Sequence, residues 1–409
     1  MIKKILIIVA FLLAITGFSQ EATSSPYSFY GIGDIKFKGT VENHAMGGLS
    51  IFKDSIHINL QNPASFASLK LTTFTIGGNQ NESKLSTSAV DDSARRTTLD
   101  YLAVGLPFGK YAFSFGLIPY SAVGYNIQSI NATKTEQNNY KGSGGLNKVY
   151  LGFGYNLNKN WSVGASFEYN FGKISTNSVF TSSAQFSTQE TNDSNGTGAN
   201  FVTGVTYESS LKRKINYFAG ITFTPQSVLA FDNTRTIRSQ SAVFDNSIVL
   251  SGDAINSKIN LPNKLTIGFG LGQIRKWQIG AEFVWKQSSN FGNRFTSTNS
   301  SYENSSKFIL GGFYIPKYNS FRSYFERITY RGGLNYQNTG LLVNGKSINE
   351  QNISIGLGLP LGGTFSNLNF GAEYGKRGTR LSGLIQEKYF NFSVALTFND
   401  RWFVKRKID

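Results

Sequence analysis

The sequence predicts an all-β fold, a closed transmembrane barrel of fourteen antiparallel strands. Two observations support this fold class: apolar and polar residues alternate along many segments of about ten residues, and long connections alternate with short ones. Composition agrees, because the 409 residues include 43 Gly, 34 Phe and 20 Tyr but 8 Pro, which is typical of β-rich proteins.

The alternation is clearest in the last predicted strand. Between Tyr389 and Phe398, every second residue is large and apolar, and the residues between them are mostly small or polar. Successive side chains of a strand point to opposite faces, so the segment has one apolar and one polar face. Across the predicted strands the polar face is rich in Gly, Ser and Asn, and Trp161, Trp277 and Trp285 lie near strand ends. Aromatic girdles of this kind favour a membrane barrel over a soluble sandwich.

The connections give the strand number and the orientation. The predicted strands are 69–79, 96–106, 110–120, 147–157, 161–172, 198–208, 214–224, 263–272, 275–286, 306–315, 325–338, 349–360, 365–376 and 386–398. Most connections after odd strands are long, such as 121–146, and most after even strands are short, such as 158–160. Outer-membrane barrels have long outer loops, short periplasmic turns and an even strand number. We therefore expect a bacterial outer-membrane location with both termini in the periplasm.

The N-terminal residues have the features of a secretory signal. Lys3 and Lys4 precede an apolar run, residues 5–15, which is too short to span a bilayer, and Gly17 and Ser19 are small residues at the cleavage spacing. The sequence predicts four segments: a signal peptide (1–19), a segment that is either a disordered tail or an N-terminal hatch or plug folded back into the lumen (20–68), the transmembrane barrel (69–398) and a basic periplasmic tail (399–409). The apolar content of residues 20–68 argues against plain disorder.

The net charge of +16 concentrates at the predicted periplasmic end. For a secreted chain, anionic lipid is a better partner than nucleic acid. The basic residues predicted to face the membrane or a partner include Arg213, Lys214, Arg275, Lys276, Lys405 and Arg406. Two interpretations stay open, attraction to anionic headgroups and docking of a periplasmic or outer-membrane protein.

No motif predicts catalysis. Gly340–Ser347 fits the phosphate-loop pattern, but an alternating strand follows it where the pattern requires a helix, which indicates an outer hairpin loop. His44 and His57, with Asp54 between them, provide too few closely spaced donors for a metal site and are predicted to pack in the hatch. There is no cysteine and no clear nucleophile–histidine–acid set. We expect no enzyme activity, no cofactor and no metal.

Four charged residues face the lumen by alternation, Glu168, Glu282, Arg331 and Glu373. Charges inside a barrel must be solvated or paired. They would either grip and gate the hatch or form a salt-bridge network that holds the shape of the barrel.

Three stretches resemble the FadL-type family of outer-membrane transport proteins, in its Bacteroidota branch. The first, AMGGLSIFKDSIHINLQNPASFASLKLTTF, contains Gly47-Gly48, Asp54, the Asn62-Pro63-Ala64 triplet and Leu69. The second is LPFGKYAFSFGLIPYSAVGYNI, residues 106–127, and the third is the ending LTFNDRWFVKRKID. These motifs cover only a minor part of the chain, so they predict family and fold more firmly than substrate.

The resemblance implies a fourteen-stranded barrel with a hatch inside the lumen and a lateral gap near a kink in strand 3. Gly116 and Pro119 lie in that strand; Gly tolerates a bend and Pro cannot donate to a neighbouring strand. Alternatively, strand 3 simply ends near Ile118. The implied function is passive uptake of small hydrophobic compounds, fatty-acid-like or aromatic, with lateral exit near strand 3. The alternative is a non-transporting accessory barrel of a large secretion or assembly machine.

The Asn62-Pro63-Ala64 triplet lies at the boundary between the hatch and the first strand. Pro63 would stop the strand ladder, Asn62 would support a tight turn, and Ala64 is small enough for close approach to the wall. We predict that the triplet is the hinge where the chain leaves the lumen.

Overall fold

Fourteen antiparallel strands form one closed sheet, in which the last strand pairs with the first. The structure, a computed structural model, describes residues 23–88, 90–131, 133, 135–182, 185–210, 215–240, 247–292, 299–362 and 365–402. The predicted signal peptide and most of the predicted tail lie outside these residues. In the described part of the chain, no helix is long and apolar enough to cross a membrane.

The prediction of a closed fourteen-stranded barrel is confirmed. The strands are β1 (Thr72–Ser86), β2 (Asp91–Phe108), β3 (Tyr111–Ile130), β4 (Glu136–Asn156), β5 (Trp161–Ser182), β6 (Gln185–Ser210), β7 (Asn216–Thr224), β8 (Lys264–Gln273), β9 (Trp277–Lys286), β10 (Ser305–Tyr314), β11 (Thr329–Val343), β12 (Lys346–Pro360), β13 (Asn367–Arg377) and β14 (Gln386–Asp400).

Several strands are much longer than the sequence predicts. β4, β5 and β6 have 21, 22 and 26 residues, whereas about ten residues cross a bilayer. The hairpin of strands Ser227–Gln240 and Ser247–Leu261 extends the same wall, because its first strand pairs with β6. The extended parts of β5 and β6 are rich in Ser, Thr and Asn. A strand beyond the lipid needs no apolar face, so the ladder continues where the alternation stops.

The outward face of the membrane-crossing strands is apolar. In β8, Ile267, Phe269 and Leu271 are exposed, while the alternating Thr266, Gly268 and Gly270 face inward and are covered. β14 repeats the pattern with exposed Phe390, Phe392, Val394 and Phe398. This is the apolar band that a barrel presents to lipid.

Residues 23–71, called here the N-terminal segment, pack against the inward face of the strands. They contain the 3₁₀ helices Pro26–Phe29 and Pro63–Ser68, the four-residue helix α1 (Val41–His44), and a two-residue strand, Asp34–Ile35. Many apolar side chains of the segment are buried together with side chains of the wall. That burial explains how a stretch without helical or strand periodicity is ordered.

Gly333 and Gly332, adjacent in β11, differ in their distance from this segment. A Cβ on Gly333 would lie 2.1 Å from the carbonyl carbon of Met46, whereas one on Gly332 would meet nothing closer than 3.9 Å. We expect Gly333→Ala to lower the free energy of unfolding by about 1–3 kcal/mol, as overpacking does. Gly332→Ala should change it little. Denaturant titration in detergent, followed by protease protection of the segment, measures both, and equal effects of the two variants would contradict this account.

Candidate functional site

A cavity of about 600 Å³ lies between the N-terminal segment and the wall. Its lining combines aromatic rings with many charged side chains, including Lys36, Lys148, Asp100, Glu350 and Arg377. Most known pockets for apolar ligands are lined mainly by hydrophobic side chains. The charges of this cavity therefore need partners, and several of those partners come from the segment.

Glu168 of β5 is the centre of one ion-pair group. It is 1% exposed, and Lys148 of β4 approaches its carboxylate at 2.6 Å. Lys38 of the N-terminal segment pairs with the other carboxylate oxygen. Two cations around one buried carboxylate satisfy both of its oxygens, and one of these cations belongs to the segment.

Glu282 of β9 binds the segment without a cation. The backbone N–H and the hydroxyl of Ser50 both donate to its carboxylate, each at 2.6 Å. Glu282 is 4% exposed. Two short hydrogen bonds to one buried carboxylate fix the position of Ser50 on this strand.

The other two predicted lumen charges lie around α1. His44 contacts the carboxylate of Glu373 in β13, and Arg331 donates to Asn369 at 3.0 Å. Asn369 in turn donates to Glu42 of α1 at 2.8 Å. Glu168, Glu282 and Glu373 thus each contact the segment directly, while Arg331 reaches it through Asn369.

Sequence reasoning missed a further pair of anchors near the start of the segment. Arg377 donates to Asp34 at 2.6 Å, and Ser25 donates to Glu387 at 2.7 Å. Arg377 and Glu387 are register partners in β13 and β14. The predicted strand 365–376 ends one residue before Arg377, whereas Glu387 already lies in the predicted strand 386–398, where the alternation places its side chain on the lumen face.

The Asn62-Pro63-Ala64 triplet packs on the opposite wall. Asn62 accepts a hydrogen bond from the Ala64 N–H at 3.1 Å, and Pro63 is the first residue of the 3₁₀ helix. A Cβ on Gly164 of β5 would lie 2.4 Å from the Pro63 carbonyl carbon, and one on Gly204 of β6 would lie 2.2 Å from the Asn62 side chain. The triplet therefore packs directly against glycines of β5 and β6, where a side chain would collide with it. Its role as a hinge stays a prediction.

The β2–β3 ladder is shorter than its neighbours. It runs from Phe108 opposite Tyr111 to Leu102 opposite Leu117 and ends there. Beyond this point β2 remains paired with β1, and β3 remains paired with β4 with an irregularity between Pro119 and Ser121. Gly116 lies in the last paired stretch and Pro119 lies just past it, so the two predicted kink residues flank the end of the ladder.

The N-terminal segment covers part of the free edge of β3. Its strand Asp34–Ile35 pairs with Ser121 and Ala122, and the Lys36 N–H donates to the Tyr120 carbonyl at 3.0 Å. Residues 97–101 of β2 and 118–120 of β3 line the cavity. The cavity consequently reaches the place where the two strands separate.

Two of the remaining predicted residues lie in a turn between strands. Arg275, with a φ of 59°, and Lys276 form the β8–β9 turn, and the Arg275 guanidinium lies 5.0 Å from the ring centroid of Tyr318. Gly340–Ser347 crosses the β11–β12 hairpin turn. Arg213, Lys214, Lys405 and Arg406 lie outside the described residues.

His57 gives the segment a pH-dependent contact. Its Nδ1 lies 2.8 Å from Asp54, and its Nε2 lies 3.5 Å from Glu42. Burial lowers the pKa of His57, but the charge and hydrogen bond of Asp54 outweigh it and leave the pKa above 6.5. For Asp54, burial raises the pKa, but His57 outweighs it and lowers the pKa to about 2. Protonated His57 therefore stabilises the folded segment.

This contact predicts that the segment loosens at alkaline pH. The stabilisation is complete below the unfolded histidine pKa of about 6.5 and is lost as pH rises through the raised folded value. A spin label at Ser55→Cys, in a chain without native cysteine, should show a mobile fraction that grows several-fold across this range. His57→Gln should flatten the profile; an unchanged profile in that variant would refute the assignment.

Solved structures with a similar fold include two proteins described as toluene transporters and one described as a FadL homologue. The toluene transporter TbuX of Ralstonia pickettii is 14% identical with a TM-score of 0.64, over 89% of this chain and 99% of TbuX. A FadL homologue of Pseudomonas aeruginosa is 13% identical with a TM-score of 0.65, over 90% and 99%. The toluene transporter TodX of Pseudomonas putida is 15% identical with a TM-score of 0.61, over 91% and 100%. At these identities the likeness establishes the fold alone.

Sequence comparison gives a more specific result than the solved structures. No curated protein matches the chain in sequence. A model of the BamG family matches residues 1–409. Because that match spans the whole sequence, the chain, an outer-membrane-type barrel with the FadL fold, belongs to the BamG family.

Proposed function

We propose that the protein is a non-transporting accessory barrel of a large outer-membrane assembly machine. The observation that supports this best is the attachment of the N-terminal segment to the wall. Buried carboxylates on three separate strands bind Lys38, Ser50 and His44 of the segment. A hatch that opens for each solute would have to break these contacts, and the segment acts instead as a permanent plug.

The energetic cost of moving the plug is large. Removing one partner from a buried ion pair costs about 3–5 kcal/mol, because the remaining charge is left unpaired. Release of the segment would expose Glu168, Glu282 and Glu373 together and would also uncover its buried apolar side chains. The charged lining of the cavity adds a second argument, since an apolar solute would displace water from lysines and carboxylates without replacing their hydrogen bonds.

Family membership favours the same conclusion. Of the two functions that the sequence leaves open, the BamG designation points to the assembly machine. The basic turn at Arg275 and Lys276 is exposed and would face a periplasmic partner if both termini lie in the periplasm. We also propose a Bacteroidota origin, which rests on the resemblance of residues 45–74, 106–127 and 396–409 to that branch.

A disulfide between the plug and the wall tests this function. A Cβ on Gly371 of β13 would lie 3.9 Å from the Cβ of Ala45, close to the ~3.8 Å of a natural disulfide. We expect the oxidised Ala45→Cys/Gly371→Cys protein to support growth and to co-purify with its large complex as well as wild type does. The Gly371→Cys single variant is the matched control. Loss of both properties on oxidation, with recovery on reduction, would overturn the static plug.

The second candidate function is passive uptake of small hydrophobic compounds with lateral exit, through a plug that moves. The early end of the β2–β3 ladder favours it, because the cavity reaches this point. Of the two solute classes that the sequence leaves open, fatty-acid-like and aromatic, the descriptions of TbuX and TodX as toluene transporters favour the aromatic one. Outer-membrane lipid would receive such solutes. In this case Asn62-Pro63-Ala64 would act as the hinge, and Gly116 and Pro119 would border the exit.

Paired cysteines test the opening in the wall. Val104 and Phe115 are ladder partners, whereas Thr98 and Ser121 would be partners only if the same register continued. We expect Val104→Cys/Phe115→Cys to form a disulfide in the membrane and Thr98→Cys/Ser121→Cys to remain reduced. The absence of native cysteine makes the gel shift unambiguous. Efficient cross-linking of the second pair would mean a closed wall and would exclude lateral exit there.

A further inference from the structure

Three lysines of neighbouring strands lie together on the lumen face. Lys264 of β8 is the register partner of Lys286 of β9, and Lys307 of β10 pairs with Val284, two residues before Lys286. All three line the cavity. They are called here the lysine cluster.

The lysine cluster differs from the other lumen cations in having no carboxylate of its own. In the part of the chain that the structure describes, Lys38 and Lys148 share Glu168, but no carboxylate lies within ion-pair distance of a cluster lysine. The carboxylates that act on the cluster are Glu282, which lies on the same strand as Lys286, and Glu350 and Glu373 of β12 and β13.

Those carboxylates are already engaged. Glu282 accepts both hydrogen bonds from Ser50, and Glu350 accepts from Tyr389 at 2.6 Å. Glu373 contacts His44. None of the three carboxylates is in ion-pair contact with the cluster, so among the described residues the three ammonium groups have no counter-ion bound directly to them.

This arrangement is unfavourable unless something else supplies negative charge. Like charges directly opposite each other on neighbouring strands destabilise a sheet, and the repulsion grows where protein replaces water. Lys264 and Lys286 are in that relation. A barrel needing only a polar interior could carry Ser or Asn at these positions, as it does at many others on the same face.

We propose that the lysine cluster is a binding site for a phosphate group. A phosphate dianion neutralises more of the charge of three ammonium groups than a carboxylate ligand would, and lysine binds phosphate as a point charge. Phe37, whose ring centroid lies 5.9 Å from the Lys307 Nζ, and Val284 would border the ligand on its apolar side. The phosphate belongs either to a small phosphomonoester or to a lipid headgroup, and the two sources share the same recognition chemistry.

The test measures phosphate binding by the full mature protein in neutral detergent. The probes are inorganic phosphate, followed by ³¹P line broadening, and a short-chain phosphatidic acid, followed by calorimetry, both at constant ionic strength. The variant is Lys264→Gln/Lys286→Gln. The matched control, Lys110→Gln/Lys159→Gln, removes the same charge from exposed turns.

We expect wild type and control to bind at least one probe saturably, and the cluster variant to lose at least tenfold in affinity. The cluster variant should also melt at a higher temperature than wild type without phosphate, because its repulsion is relieved, and should gain nothing when phosphate is added. A higher melting temperature also shows that the variant is folded. Tighter binding of inorganic phosphate identifies a soluble ligand, and tighter binding of phosphatidic acid identifies a headgroup.

Two results would overturn the proposal: no saturable binding of either probe by wild type, or equal binding by wild type and the cluster variant. The site does not depend on the accessory function. Co-purification of the large complex with the cluster variant should be unchanged, so failure of one proposal leaves the other to be judged on its own measurement.

Discussion

A buried carboxylate inside a closed wall must find a partner, and this constraint organises the inside of the barrel. Glu168, Glu282 and Glu373 project inward from β5, β9 and β13, and each is met by a residue of the N-terminal segment. Because these strands lie at different positions around the barrel, the three contacts fix the segment in position and orientation. The glycines then allow close packing, since Gly164 and Gly333 leave room for the segment backbone where any side chain would collide.

The second constraint is the hydrogen bonding of strand edges. A sheet edge in lipid leaves N–H and C=O groups without partners, which is why membrane sheets close. Here β2 and β3 separate after Leu102 and Leu117, and Asp34–Ile35 pairs with part of the edge that β3 would otherwise leave free. The N-terminal segment therefore completes the wall as well as filling the lumen, and the same residues serve both purposes.

The barrel could be predicted from sequence because lipid imposes a pattern on every strand that crosses it. Phe390, Phe392 and Val394 alternate for that reason, and the same alternation is enough to predict that Glu168, Glu282 and Glu373 face the lumen. The long extensions of β4 to β6 lie beyond that constraint and carry no alternation. The partners Lys38, Ser50 and His44 could not be predicted, because the segment has no repeat and its contacts arise from tertiary packing. The lysine cluster could be predicted only in part. Alternation predicts that each lysine faces the lumen, but the register between strands decides that the three lie together.

Asp34 links the two constraints. Its backbone pairs with Ala122 on the edge of β3, and its side chain accepts from Arg377 of β13 at 2.6 Å. Any widening between β2 and β3 that displaces Asp34–Ile35 must also break the pair between Asp34 and Arg377. The Arg377 guanidinium, which also lies 3.9 Å from Glu350 and over the Tyr27 ring, would then lose its main partner. The free-energy cost of opening the wall at this point therefore includes the cost of displacing the plug. A barrel built in this way resists partial opening, because no part of the wall can separate here without the loss of contacts on the other side of the lumen.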